Sequence, residues 1–92
     1  MPPVVVYTKP YCSFCVSAKA LLRRKGVAFT EVNVAGAPDR RTEMVKRAHG
    51  RTTVPQIFVG ATHVGGCDEL YELDETGNLD PLLARASRGN HI

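Results

Sequence analysis

The chain has little with which to build a secreted or membrane-spanning protein. Its 92 residues hold only three cysteines, too few for a disulfide scaffold. No apolar h-region stands at the N-terminus, and the apolar run at residues 4–7 is far too short for a signal peptide or a span. A reducing compartment follows, with the cytoplasm as the expectation and no membrane partner. Repeats and low-complexity segments are absent as well. Neither sign of charge dominates: 12 Lys and Arg stand against nine Asp and Glu, for a net charge of +3. The basic residues are scattered as Arg23-Arg24-Lys25, Arg40-Arg41, Lys46-Arg47 and Arg51, and no aromatic residues alternate with them. Nucleic acid is therefore not an expected partner, although a mild positive field favours anionic small molecules.

What is present suits one compact domain over residues 1–92, with its core at about 3–88. The hydrophobic fraction is 43% and the charged fraction 23%, ordinary values for a globular chain. Residues 4–8 read as a buried strand. Residues 13–25 read as an amphipathic helix that Gly26 ends in the left-handed position. Residues 27–34 are rich in β-formers and read as a second strand. Pro38 opens a second helix, with Asp39 and Glu43 near its positive end and Gly50 as its stop. Residues 56–59 form a third strand, Gly60-Ala61 a two-residue hairpin turn, and residues 62–64 a short fourth strand. Asp68 is read as the N-cap of a third helix closed by Gly77, and Asp80-Pro81 as the cap and start of a fourth helix reaching about Arg88. The tail 89–92 is expected to fray. Strands joined through a helix run parallel and the hairpin adds antiparallel strands. The fold class is therefore α/β: a four-stranded mixed β-sheet flanked by helices.

The most informative feature is Cys12-Ser13-Phe14-Cys15, placed between the first strand and the first helix. A helix N-terminus carries unpaired N–H groups and roughly half a positive charge, which favours a thiolate over a thiol. Cys12, at the helix start, is the candidate nucleophile, and Cys15, one turn inside, its partner. Lys9 stands three residues upstream, where a positive charge lowers a thiol pKa. A CxxC at the end of the first strand of such a unit reads as a thioredoxin-like redox motif.

Four separated blocks carry a resemblance from about Val4 to Leu83. They are Tyr7-Thr8-Lys9-Pro10-Tyr11-Cys12-Ser13-Phe14-Cys15, Ala18-Lys19-Ala20-Leu21-Leu22, Thr53-Val54-Pro55-Gln56-Ile57-Phe58 and Gly65-Gly66-Cys67-Asp68. In this order and spacing the chain resembles a glutaredoxin of the small bacterial dithiol type. The resemblance implies a thioredoxin-like fold and a glutathione-dependent thiol–disulfide oxidoreductase. Such an enzyme reduces protein disulfides and glutathione mixed disulfides through Cys12 and Cys15, needs no separate cofactor and takes its electrons from glutathione. It further implies that Thr53-Val54-Pro55 is a cis-proline loop facing the thiols, with the Val54 backbone pairing with the cysteine of glutathione. Gly66, Cys67 and Asp68 would hold the γ-glutamyl end, Phe14 would lie in the same glutathione site, and Arg41 would join Lys9 at the glycyl carboxylate. Arg40 is adjacent, and a one-residue shift in alignment exchanges it with Arg41. Cys67 is read as a structural or auxiliary thiol, and His49, His63 and His91 as surface or near-surface residues.

The chain departs from the commonest family motif, Cys-Pro-Tyr-Cys, at Ser13 and Phe14. Loss of the proline loosens the helix start. Some glutaredoxins with Cys-Ser-Tyr-Cys resemble this motif and hold a [2Fe–2S] cluster between two monomers, so a cluster-bridged homodimer stands as an alternative to the expected monomer. A second alternative is a structural zinc protein, with Cys12, Cys15, His63 and Cys67 as four N/S ligands. Against it, the chain has full strands and helices and does not depend on a metal for its core.

Overall fold

The first strand decides the layout of the molecule. In the computed structural model, which describes residues 4–89, β1 (Val4–Thr8) lies inside the sheet with β2 (Thr30–Asn33) on one side and β3 (Gln56–Val59) on the other. β4 (Thr62–Gly65) completes the order β2-β1-β3-β4. β1 pairs parallel with β2, placing Tyr7 opposite Val32, and antiparallel with β3, placing Val6 opposite Ile57. β3 and β4 are antiparallel, with a register irregularity between Ile57 and Phe58. The sheet is the expected four-stranded mixed one.

Successive strand residues point to opposite faces, so β1 and β3 each feed two cores. Val4 and Val6, with Ile57 and Val59, pack under Ala18, Leu21 and Leu22 of α1 (Ser13–Arg24), Leu70 of α3 (Cys67–Glu75), and Leu79 and Leu83 of α4 (Leu79–Gly89). On the other face Tyr7 and Phe58 pack with Met44 of α2 (Pro38–Arg47) and with Val34 and Ala48. Burying a side chain such as Leu22 or Met44 is worth about 1.5–3 kcal/mol. Glycine supplies the left-handed residue after α1, where Gly26 has φ +70°, and the first position of the β3–β4 turn, where Gly60 has φ +60°.

Several element ends differ from the sequence expectation. β2 starts at Thr30, because residues 27–29 have no ladder partner and instead turn the chain after α1, with Val27 and Phe29 packed on the core. α2 ends at Arg47, and His49, with φ 57°, takes the left-handed position before Gly50 does. β4 runs one residue further, to Gly65. α3 begins at Cys67 with Gly66 as its N-cap, so Asp68 is not the cap. The reason is Glu69, whose Oε1 accepts the Gly66 N–H at 2.7 Å and closes the helix end two residues earlier. α4 begins at Leu79, whose burial draws it into the helix, so Asp80 lies in the first turn and does not cap it. Lys25 at the end of α1 ties these later helices down, reaching Asp74 at 2.6 Å and Asp80 at 3.1 Å. The expected frayed tail and His91 fall largely outside the described residues.

Candidate active site

The thiol end is built where β1 stops and α1 starts. Tyr11 turns the chain with φ 59°, and Cys12 follows in extended conformation as the N-cap of α1. Its Sγ accepts the Cys15 N–H at 3.1 Å, and its carbonyl accepts the Val16 N–H at 3.1 Å. A sulfur thus fills the place that a serine or aspartate oxygen takes at most helix starts. The first turn of α1 holds no acid, which leaves the positive end of the helix to that sulfur. Cys12 is partly exposed.

Cys15 has the opposite surroundings. It is 1% exposed, and burial, reinforced by the hydrogen bond with Cys12, pushes its pKa up to about 11. At neutral pH it is a thiol, and a thiol is a poor nucleophile. The two cysteines therefore differ in exposure as the sequence suggested, one partly open and one buried.

The Val54–Pro55 bond is cis, and the Val54 carbonyl stands 3.9 Å from Cys12 Sγ. The loop is anchored from behind by the fully buried Gln56, whose Nε2 donates to the Thr53 carbonyl at 3.0 Å and lies 3.3 Å from Thr53 Oγ1. Opposite the loop, Gly65 has φ +112°, and a Cβ there would stand 2.6 Å from Glu69 Oε1. Only glycine fits. The first intrahelical bond of α3 runs from the Leu70 N–H to the Gly66 carbonyl at 3.1 Å, so the N–H groups of Cys67 and Asp68 precede it.

These parts enclose a groove of about 230 Å³ beside the thiols. Phe14, Thr53, Val54 and Pro55 line one side. Gly66, Cys67 and Asp68 line the other. All seven were named from the sequence. Arg51 and Glu69 line the groove too and were not named. They pair at 2.8 Å, and the Gly66 N–H together with Arg51 holds the Glu69 carboxyl below its usual pKa. Glu69 three residues after Gly66 was the sequence signal for them. Lys9 and Arg41 lie outside this lining, both exposed, and Arg40 Nη1 reaches the Asn33 carbonyl at 3.4 Å. Tyr11, Phe14 and Val16 stay exposed as an apolar rim around the thiols. A larger groove of about 550 Å³ between β4 and the last two helices contains no cysteine.

The four-ligand zinc alternative is not assembled. His63 faces Gln56 and His49, and among the described residues no three His, Cys, Asp or Glu side chains gather as a metal site would require.

The family model described as Glutaredoxin matches residues 4–64. The chain belongs to the glutaredoxin family. It is 55% identical over 84 residues to a glutaredoxin of Pseudomonas aeruginosa, covering 91% of this chain and 99% of that protein. It is 58% identical over 83 residues to glutaredoxin 3 of Escherichia coli, covering 90% of this chain and 99% of that one. Among solved structures, a buckwheat glutaredoxin–glutathione complex superposes with a TM-score of 0.85 at 30% identity, covering 94% of this chain and 80% of that one. The fold is thus the thioredoxin-like fold of glutaredoxins, and the chain is a glutathione-dependent thiol–disulfide oxidoreductase.

Proposed function

We propose that Cys12 performs the chemistry of this glutaredoxin and that the groove beside it holds glutathione. The observation that carries the reading is the Cys12 sulfur itself, capping α1 at 3.1 Å from the Cys15 N–H and standing 3.9 Å from the carbonyl of Val54, which lines the groove. The Cys12 thiolate attacks the glutathione sulfur of a mixed disulfide. The old S–S bond breaks, a new one joins Cys12 to glutathione, and the substrate leaves as a thiolate that takes up a proton. A second glutathione thiolate then attacks the glutathione sulfur on Cys12, releasing oxidised glutathione and restoring the Cys12 thiolate. On a protein disulfide, Cys15 gives up its proton and attacks Cys12 in the mixed disulfide, so the Cys12–Cys15 bond closes and the reduced protein leaves.

Glutathione lies with its cysteine along the Val54 backbone, shaped by Thr53 and Pro55. Its γ-glutamyl carboxylate meets the N–H groups of Cys67 and Asp68, and its ammonium meets the Asp68 carboxylate. Phe14 supplies an apolar wall, and Gly66 lets the chain approach closely. The exposed Lys9 and Arg41 supply positive charge for the glycyl carboxylate. No helix of the described chain is long and apolar enough to cross a membrane. A reducing cytoplasm suits an enzyme whose cysteines must be returned to thiols, and the protein works as a monomer.

The test is glutathione-dependent reduction of a small mixed disulfide, coupled to glutathione reductase, for wild type and Cys12→Ser. Turnover lost in the variant supports the reading; turnover retained overturns it. One accessible thiol per chain and Ser13 in place of proline also fit a second state, in which two chains share a [2Fe–2S] cluster through Cys12 and two glutathiones. Anaerobic reconstitution that yields neither visible absorption nor a dimer excludes that state.

A further inference from the structure

Two histidines that the thiol chemistry does not use meet beside the edge strand. His63 lies on β4, its ring stacked on Phe58 with centroids 4.8 Å apart. His49 follows the end of α2, in the left-handed conformation and exposed. Their Nδ1 atoms are 3.2 Å apart. Neither residue lines the groove beside the thiols.

The hydrogen bonds around Gln56 decide which atoms carry protons. Gln56 Nε2 donates to the Thr53 carbonyl, which only accepts, so the amide turns its oxygen toward His63. That Oε1 is 2.7 Å from His63 Nε2, and an amide oxygen also only accepts. The hydrogen of neutral His63 is therefore on Nε2, and its Nδ1 offers a lone pair toward His49. Without a ligand, His49 Nδ1 donates its hydrogen into that contact. Moving that hydrogen to Nε2 of His49 leaves two lone pairs facing one another across the gap.

We propose that His49 and His63 form a two-imidazole site for a divalent transition metal ion of the zinc, nickel or copper type, separate from the thiols. Two nitrogens bound at about 2.0–2.1 Å around a tetrahedral ion stand about 3.3 Å apart, which is the spacing present here to within a tenth of an ångström or so. Imidazole nitrogen is the ligand these ions prefer. The Gln56 oxygen on the far side of His63 is the outer-shell acceptor that such ligands use to fix their tautomer, and it is already in place. Glu69 is occupied with Gly66 and Arg51. Among the described residues no third acidic, cysteine or histidine ligand joins the pair, so water completes the coordination. Binding needs no break in the Gln56–Thr53 link, so the ion sits behind the proline loop without dismantling it.

The experiment uses the whole chain with Cys12 and Cys15 oxidised to a disulfide, which removes the competing thiolates. Zinc alone is titrated by calorimetry while imidazole nitrogens are followed by NMR. The expected result is one zinc per chain, with the Nδ1 signals of His49 and His63 shifting together. His49→Asn, which keeps a residue tolerant of left-handed backbone, and His63→Gln each weaken binding by at least about tenfold. Glutathione-dependent turnover of reduced His49→Asn stays at the wild-type level. No zinc uptake, or equal affinity in wild type and His49→Asn, overturns the site.

Discussion

Two helix N-termini face the same groove and are used in opposite ways. The start of α1 has no acid in its first turn and is capped by the sulfur of Cys12. The start of α3 carries Asp68 and Glu69 in its first turn, and Glu69 closes the helix end by accepting from Gly66. Both ends attract negative charge. At α1 the attraction is left to the Cys12 sulfur, with no carboxylate beside it. At α3 it is met by permanent carboxylates, with Arg51 tied to Glu69 as a brace. Cys67 makes the contrast sharper. It stands at the first position of α3, yet burial first and then Asp68 raise its pKa. A helix end does not by itself make a reactive cysteine; exposure and the absence of neighbouring acids are needed as well.

The largest test of this contrast is Cys12→Ser. Glutathione-dependent turnover should fall to background, while the thermal midpoint stays near wild type because a serine oxygen caps the helix as well as sulfur does. A large loss of stability would show that the sulfur is needed to build α1, not only to react. Cys15→Ser should separate the two routes next. Reduction of a glutathione mixed disulfide persists, whereas stoichiometric reduction of a protein disulfide by the prereduced enzyme, without glutathione, is lost. Equal losses in both assays would deny Cys15 its reserve role.

The α3 side is then probed with Asp68→Asn, which should raise KM for the glutathione substrate about tenfold with kcat little changed, the size of one lost charge-assisted contact of ~1.4 kcal/mol. An unchanged KM would remove Asp68 from the binding frame. Glu69→Ala removes the acceptor for Gly66 and should cost about 1 kcal/mol in urea unfolding, the usual worth of a helix cap. The last test lies in alkali. Because the fold raises the Cys15 pKa from 9.0 to about 11, its contribution to stability is complete below 9.0 and drains away as pH climbs toward 11. Cys15→Ala should therefore lose less stability than wild type across that interval. Parallel curves would mean that the buried thiol is indifferent to its surroundings.

Much of this was legible in the residues. Val4–Thr8, Pro38 and the Gly60 turn announced their elements through β-branched runs, a fixed φ and a permissive one. Seven groove residues were legible because they fall in compact blocks. What escaped depends on partners distant in the chain. Arg51 looked like a scattered surface charge until Glu69, eighteen residues away, was seen to hold it. The caps of α3 and α4 were misplaced because Asp68 and Asp80 are good caps in isolation, while Glu69 and the buried Leu79 extend the helices past them.

The sequence by itself determined the family, the order of the elements and the position of the Cys12-x-x-Cys15 motif, since strand and helix periodicity and the CxxC spacing act over a few neighbouring residues. The tertiary structure alone decided how those thiols differ. Cys12 and Cys15 are the same chemical group three positions apart, and only packing leaves one sulfur open at the helix end and places the other 1% exposed within the fold. The same holds for His49 and His63. Fourteen residues separate them, and only the return of the chain through β3 and β4 sets their nitrogens 3.2 Å apart. Local signals are written in the order of residues, whereas desolvation and contacts across the fold exist only once distant segments meet.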